Sequence, residues 1–206
     1  MKLFKFFRKK LSLFEENFFH QEYSIYVKNY NYIYHGNSGS ELLARLIFEL
    51  KKNFNKNLNV YLPAYFCGQS LKYLRVLNIN LFFYKLTEDL LPDFKGLEES
   101  HLSHKIDVLI IVHYFGRKIS YKKLSFFLKN KKSIYLIEDC AHIESPKISS
   151  NWIGDSLIFS PHKHFDIPKI GILLNSREIK ISNLAIKTNT FWFLKRLIKK
   201  ILKYRK

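Results

Sequence analysis

A lysine and a pair of carboxylates in the second half of the chain have the residue types and spacing to do chemistry. Lys163 follows one apolar stretch, and Glu138-Asp139 closes another about twenty-four positions earlier. A lysine amine can add to a carbonyl group, and an aspartate can keep a ring nitrogen protonated. Neighbouring residues of an extended chain point to opposite sides, so only one of the two carboxylates can face a given site. We predict that Asp139 faces the site and that Glu138 is structural.

Four further features lie near predicted strand ends, where open α/β sheets bind ligands. Ser38-Gly39-Ser40-Glu41 opens a predicted helix, and the exposed N–H groups at such a start can hold a phosphate. Tyr65-Phe66-Cys67 follows a strand and could cover a planar ring, although core packing explains its aromatic residues equally well. His113 ends the most apolar strand, where a structural histidine is the more common alternative. His142 lies three residues after Asp139 and could contact the ring face or its oxygen.

Short apolar runs alternate with helical patterns from about residue 40 onward, which is typical of βαβ units and a mostly parallel sheet. The run Val108–Val112 is apolar throughout, as a sheet covered on both faces requires. We therefore predict an α/β fold, a three-layer sandwich with a mostly parallel sheet. The predicted strands are Val60–Leu62, Leu81–Tyr84, Val108–Val112, Ile134–Ile137, Leu157–Phe159 and Ile170–Leu174, and the predicted helices are Ser40–Lys52, Gly68–Leu77 and Tyr121–Lys129.

The positive charge is concentrated at the two ends of the chain. The net charge is +18, and residues 1–10 and 195–206 carry five and seven positive charges. We predict a basic N-terminal segment (1–30), a central α/β domain (31–180) and a basic amphipathic C-terminal helix (181–206). Weak contact of the basic ends with a membrane surface is an alternative role for them. No zinc spacing or RNA-binding motif supports a specific nucleic-acid partner.

The spacing of the cysteine and histidine residues predicts neither a set of disulfides nor a metal site. The two cysteines lack CxxC spacing and suit a reducing compartment, so we predict a cytoplasmic protein. The histidine pairs His101/His104 and His162/His164 have no acidic or cysteine partner that completes a ligand set, so no metal site is predicted.

Taken together, the motifs resemble the DegT/DnrJ/StrS family of pyridoxal phosphate-dependent sugar aminotransferases, which have fold type I. The resemblance covers about residues 30–175 and depends on five motifs in the family's order. These are Ser38-Gly39-Ser40, Pro63-Ala64-Tyr65, Val112-His113-Tyr114-Phe115-Gly116, Glu138-Asp139-Cys140-Ala141-His142, and the run from Gly154-Asp155 to Lys163.

The resemblance implies a role for each of these residues. Lys163 would bind pyridoxal 5'-phosphate, Asp139 would pair with its ring nitrogen, and His142 would contact the ring or its oxygen. Ser40, with the Ser40 and Glu41 amides, would hold the phosphate. Members of the family transfer an amino group from an amino acid to a nucleotide-linked keto sugar in surface polysaccharide or amino-sugar biosynthesis, and they form homodimers.

The chain departs from the family's pattern at three positions and in length. Ile158 replaces a usual phosphate-binding serine, for which Ser160 could compensate; Cys67 replaces a ring-stacking aromatic, and His164 replaces an asparagine. Family members are nearly twice as long, because a C-terminal small domain follows the large one, so we expect this chain to correspond to the large domain alone. The alternatives are a truncated, catalytically degenerate member that retains the cofactor-domain fold, or a basic module that binds nucleic acid or a membrane.

Overall fold

A computed structural model describes residues 29–144, 151–165, 167 and 169–181. The two basic segments predicted for residues 1–30 and 181–206 lie almost wholly outside these residues. Within the described part of the chain, no helix is long and apolar enough to cross a membrane.

One seven-stranded sheet forms the centre of the structure, with the order β1-β7-β6-β5-β4-β2-β3. Five strands, β2 to β6, pair with one another in parallel, whereas β7 runs antiparallel to both β1 and β6. The prediction of a mostly parallel sheet is thus confirmed. The strands are β1 (Tyr32–Gly36), β2 (Asn59–Pro63), β3 (Asn80–Tyr84), β4 (Val108–Val112), β5 (Tyr135–Cys140), β6 (Ser156–Phe159) and β7 (Gly171–Asn175).

Helices cover both faces of this sheet, so the three-layer architecture is also confirmed. The helices are α1 (Gly39–Phe54), α2 (Gly68–Arg75), α3 (Phe94–Ser103) and α4 (Tyr121–Leu128). Buried residues of α1 and α2 pack with Val108 and Ile110 of β4, and buried residues of α3 and α4 pack with Leu109 and Ile111. Alternate side chains of β4 are therefore buried in hydrophobic cores on opposite faces of the sheet, which explains why that strand has no polar residue.

One strand and one α-helix were not among the predicted elements, and each has a weak apolar pattern. In β1 the inward-facing positions include tyrosines, and the Tyr34 hydroxyl donates to the Ile179 carbonyl at 2.6 Å. In α3 the only buried residue is Leu97, and a glycine, Gly96, lies in its first turn. Strand β5 also continues three residues beyond its predicted end, through Glu138 and Asp139.

A buried carboxylate, that of Glu138, joins β5 to the residue that follows β4 and to the segment that precedes β6. Its Oε1 atom accepts hydrogen bonds from the backbone N–H groups of Ile153 at 2.9 Å and Gly154 at 2.6 Å. Its Oε2 atom lies 2.8 Å from His113 Nε2. Because the Ile119 N–H donates to His113 Nδ1 at 3.1 Å, the proton of a neutral His113 ring is on Nε2 and is donated to Glu138. We call these four hydrogen bonds the Glu138 clamp.

Close backbone approach explains the glycine in the Gly154-Asp155 motif. A Cβ atom on Gly154 would lie 2.8 Å from Glu138 Cγ. The next residue, Asp155, accepts a hydrogen bond from the Leu136 N–H at 2.8 Å and so holds the segment against the start of β5. The motif therefore fixes β6, and the residues that follow it, relative to β5.

Replacing Glu138 by alanine should destabilise the protein strongly. The substitution leaves His113 and two backbone N–H groups without their acceptor in an environment where Glu138 is 1% and His113 0% exposed. We expect the free energy of unfolding to fall by about 3 kcal/mol or more, measured by urea denaturation. The matched control is Glu99→Ala at an exposed position of α3, which should change it by less than about 0.5 kcal/mol. Equal effects of the two substitutions would contradict the clamp.

Candidate active site

The predicted site residues lie at the edge of the sheet where β1, β2, β4, β5 and β6 end and β7 begins. A small cavity of about 80 Å³ opens at this edge. Seven of the twelve predicted site residues line it, namely Ser38, Gly39, Ser40, Cys67, Asp139, Ser160 and Lys163. The fold thus brings together residues from four separate motifs.

The start of α1 forms one end of the cavity. Ser38 is the N-cap, and its Oγ atom accepts the Glu41 N–H at 3.2 Å. The first helical hydrogen bond runs from the Leu42 N–H to the Ser38 carbonyl at 3.1 Å, so the Gly39 and Ser40 N–H groups precede it. Such N–H groups have no partner within the helix and favour an anion. The Glu41 N–H was also predicted to hold the phosphate, but it donates instead to the Ser38 hydroxyl of the cap.

Two serines from other elements add hydroxyl groups near this helix start. A Cβ atom on Gly39 would lie 2.8 Å from Ser160 Oγ, so the glycine leaves room for Ser160 to approach the backbone. Ser40 Oγ lies 2.7 Å from the Ser70 hydroxyl of α2. The side chain of Ile158 reaches the same place, since its Cγ2 atom lies 3.0 Å from the Cβ position on Gly39. Ser160 therefore lies where it could compensate for the serine that is missing at position 158.

Lys163 and Asp139 form the other end of the cavity. Lys163 ends the short turn Pro161–Lys163 after β6, and its N–H donates to the Ser160 carbonyl at 3.0 Å. Burial raises the pKa of the Asp139 carboxyl, while the Ala141 N–H at 2.9 Å and the positive charge of Lys163 oppose that rise. The neighbouring Glu138 points away from the cavity into its clamp. The two carboxylates thus face opposite sides, as the alternation of an extended chain predicts.

His142 lies beside the cavity rather than in its lining. Its Nδ1 atom accepts the Phe115 N–H at 3.3 Å, and the two rings stack with their centroids 5.8 Å apart. Burial lowers the pKa of His142, the charge of Lys163 lowers it further, and Asp139 opposes this. Its neutral form at neutral pH is therefore favoured.

The remaining predicted residues do not line the cavity. His113 is buried in the Glu138 clamp with both ring nitrogens engaged. Phe66 packs against the core under α1, and Tyr65 is 65% exposed with its ring 5.8 Å from that of Tyr114. The Glu41 side chain pairs with Arg45 at 3.2 Å. Residues 29–144, 151–165, 167 and 169–181 contain no group of three or more histidine, cysteine or acidic residues that could hold a metal ion.

Seven lining residues were not among the predicted ones, and they include Ser70, His162 and Lys169, whose polar or charged side chains could contact a ligand. Lys169 reaches the site because β7 is antiparallel, so that the amino end of β7 lies beside the carboxyl ends of the other strands. In a chain with 35 lysines and arginines, no sequence signal separates Lys169 from a surface charge. Ser70 could have been found, because it lies in the first turn of the predicted helix after Cys67.

Cys67 lines the cavity at the start of α2. Burial acts to raise the pKa of its thiol, but hydrogen bonds from the backbone N–H groups of Ser70 and Gln69, together with the charge of Lys163, outweigh it and lower the pKa below the usual value. Cys140, by contrast, is fully buried, and burial raises its pKa well above the usual value. The two thiols should therefore differ widely in reactivity.

This fold is that of pyridoxal phosphate-dependent aminotransferases, and the resemblance to the DegT/DnrJ/StrS family is confirmed at the level of the fold. A DegT DnrJ EryC1 StrS aminotransferase from Brucella abortus has a TM-score of 0.59 and 13% identity, covering 85% of this chain and 52% of that one. Helicobacter pylori PseC, an aminotransferase involved in the biosynthesis of pseudoaminic acid, has a TM-score of 0.61 and 15% identity, with 74% and 42% covered. NtdA from Bacillus subtilis with bound cofactor PMP has a TM-score of 0.57 and 15% identity, with 72% and 34% covered.

The chain thus spans between about a third and half of the length of these three proteins. No protein-family model and no curated protein matches the sequence.

Alkylation should distinguish the two cysteines and test the electrostatics of the cavity. Because the pKa of Cys67 is lowered, its reaction with iodoacetamide should reach half of its maximal rate at a pH below that of an ordinary cysteine thiol. We expect Cys67 to react at least about 100-fold faster than Cys140 in the folded protein, measured by peptide mass spectrometry over a pH series. Lys163→Ala should move the Cys67 profile to higher pH, because it removes a positive charge. A profile that does not move would show that Lys163 does not act on Cys67.

Proposed function

We propose that this domain binds pyridoxal 5'-phosphate in the cavity between α1 and Lys163 and takes part in amino-group transfer. The proposal depends on one observation: Lys163, Asp139 and the first residues of α1 line the same cavity. The similarity of the fold to aminotransferases supports it. The residues that line the cavity offer groups for the phosphate, the ring nitrogen and the aldehyde of the cofactor.

The phosphate would be held at the start of α1. The Gly39 and Ser40 N–H groups and the positive end of the helix favour an anion there. The Ser40, Ser70 and Ser160 hydroxyls can donate further hydrogen bonds, and Lys169 adds a positive charge to the lining. The proposed phosphate-binding residues therefore include Ser70 and Lys169, which were not among the predicted site residues.

The reactive end would be held by Lys163 and Asp139. When bound, pyridoxal phosphate accepts the amino group of an amino acid and stabilises negative charge on the carbon that loses a proton. Asp139 would keep the ring nitrogen protonated, and its interaction with the Ala141 N–H fixes the carboxylate. Lys163 Nζ would hold the cofactor and then move a proton. Cys67 would lie against the ring, and His142, backed by Phe115, would contact it from beside the cavity.

The proposed substrates are an amino acid as donor and a nucleotide-linked keto sugar as acceptor, in surface polysaccharide or amino-sugar biosynthesis. The aminotransferase from H. pylori that shares the fold, which is involved in making pseudoaminic acid, supports a sugar substrate. We also propose a homodimer in the cytoplasm. Tyr65 and Phe115, which are 65% and 72% exposed at this edge of the sheet, are apolar surfaces that a second copy would bury.

A second candidate is a relative that binds the cofactor without transferring an amino group. The observation that favours it is Ile158, whose methyl group lies at the helix start where the family has a serine. Reaction with glutamate distinguishes the two candidates. Cofactor binding followed by conversion of the cofactor supports the transferase, and binding without conversion supports the second candidate.

Lys163→Ala should abolish the characteristic binding of pyridoxal phosphate. Wild-type protein titrated with the cofactor should show a new visible absorbance band, whereas the variant should lose that band and bind at least about 100-fold more weakly in equilibrium dialysis. Lys180→Ala, at an exposed position outside the cavity, is the matched control and should behave as wild type. A band of equal intensity in Lys163→Ala would exclude Lys163 as the binding residue.

Asp139→Asn should stabilise the cofactor-free protein while impairing its chemistry. The raised pKa means that the folded state binds a proton more tightly than the unfolded state, so the wild type loses stability as the pH rises through the pKa of folded Asp139. Asparagine avoids this loss and can still accept the Ala141 N–H. We expect a higher urea midpoint than the wild type at neutral pH, with the difference vanishing below the ordinary pKa of an aspartate.

The same variant should slow the reaction with glutamate roughly 100-fold, because its amide cannot hold the ring nitrogen protonated. Asp89→Asn, at an exposed position, is the control for both measurements. If Asp139→Asn reacted with glutamate as fast as the wild type, Asp139 would have no role in the reaction, whatever its effect on stability.

A further inference from the structure

A large groove lies on the sheet face opposite α1 and α2, between α3 and α4. Its volume is about 850 Å³, and it is separate from the candidate active site, with which it shares no lining residue. We call it the α3/α4 groove. The rings of Phe94, Phe126 and Phe127 line it, together with Lys95, Lys122, Lys123, Lys129, Lys131, Asn130 and Glu98.

The charge of the α3/α4 groove is strongly one-sided. Five lysines line it against one glutamate. Lys131 pairs with Glu98 at 2.8 Å, and its ammonium group also lies 4.5 Å from the centre of the Phe127 ring. The other four lysines have exposed side chains. Like charges that line one groove repel one another, so an anionic surface opposite them would be favoured.

An exposed phenylalanine, Phe126, lies among these lysines on α4. The inner face of α4 buries Leu124 and Phe127, which places Phe126 on the outer face, where it is 81% exposed. Its neighbours at helical spacing are Lys122, Lys123 and Lys129. A ring fixed at the centre of a lysine cluster is apolar surface that the fold itself does not bury.

The charges also limit what can cover the groove. A second copy docked face to face would bring lysines against lysines, which disfavours it. Single-stranded nucleic acid binds on several stacking rings, whereas only Phe126 of the three phenylalanines that line this groove is largely exposed. A surface that offers anions at its boundary and apolar material beneath them fits both the lysines and the ring.

We propose that the α3/α4 groove docks the protein on the surface of an anionic bilayer. The lysines would lie among the lipid phosphate groups, and Phe126 would enter the boundary between headgroups and acyl chains. This role is independent of the proposed function, because it uses residues on another face of the domain. It does place a domain proposed to act on nucleotide-linked sugars next to a membrane surface.

Vesicle sedimentation of the full chain tests the proposal. Wild-type protein should bind vesicles of phosphatidylcholine mixed with phosphatidylglycerol and should not bind phosphatidylcholine alone. Lys122→Glu/Lys123→Glu should lower the partition coefficient by about tenfold or more. Phe126→Ser leaves the charge unchanged and should lower it by about tenfold. Lys85→Glu/Lys105→Glu, with the same change in charge at exposed positions outside the groove, should lower it much less.

Three results would overturn the proposal. The control variant could lose as much binding as the groove variant, which would show a response to net charge alone. All of the variants could bind the vesicles as strongly as the wild type does, which would place membrane contact outside the groove. Soluble polyglutamate could bind the groove without a contribution from Phe126, which would indicate an acidic protein partner. Circular dichroism must show that each variant is folded, and if the double variant is not, Lys129→Glu with Phe126→Ser provides the same test.

Discussion

The buried carboxylate of Glu138 is the constraint on which the arrangement of the candidate site depends. Its hydrogen bonds join the end of β4, through His113, to the segment before β6, through the Ile153 and Gly154 N–H groups. Because a strand alternates its side chains, fixing Glu138 on one side fixes Asp139 on the other. The same clamp positions β6, and Lys163 follows β6 within four residues. One structural acid thus sets the relation between the two residues proposed to do the chemistry.

The direction of the strands accounts for the other half of the cavity. The carboxyl ends of β1 and β6 lie at the same edge, on either side of β7, and the start of α1 lies beside the residues after β6. Antiparallel β7 brings its beginning to that edge, and Lys169 with it. Polar groups from five segments are collected where the backbone offers N–H groups without helical partners. The proposed anion site therefore depends on the topology of the sheet rather than on any one motif.

Sequence reasoning predicted the strands of the sheet core and three of the four helices of the described residues, because these elements have continuous apolar runs or clear helical spacing. It did not predict β1 and α3, whose inward positions are tyrosines or a single leucine. Of the site, the residues that follow strand ends were predicted, since position along a strand can be inferred from the chain. Lys169 could not be predicted, because its position depends on the antiparallel pairing of β7. His113 resembled a site residue in the sequence, but it lies in the clamp, since only the fold reveals that Glu138 is its partner.

The central claim is that one lysine among many is set apart by its surroundings as the one that holds pyridoxal phosphate. The most direct measurement is to incubate the protein with the cofactor, reduce it with borohydride, and map the modified peptides by mass spectrometry. The account predicts one dominant modified residue, Lys163, with the surface lysines labelled only weakly. Labelling spread over exposed lysines, with no preference for Lys163, would contradict it.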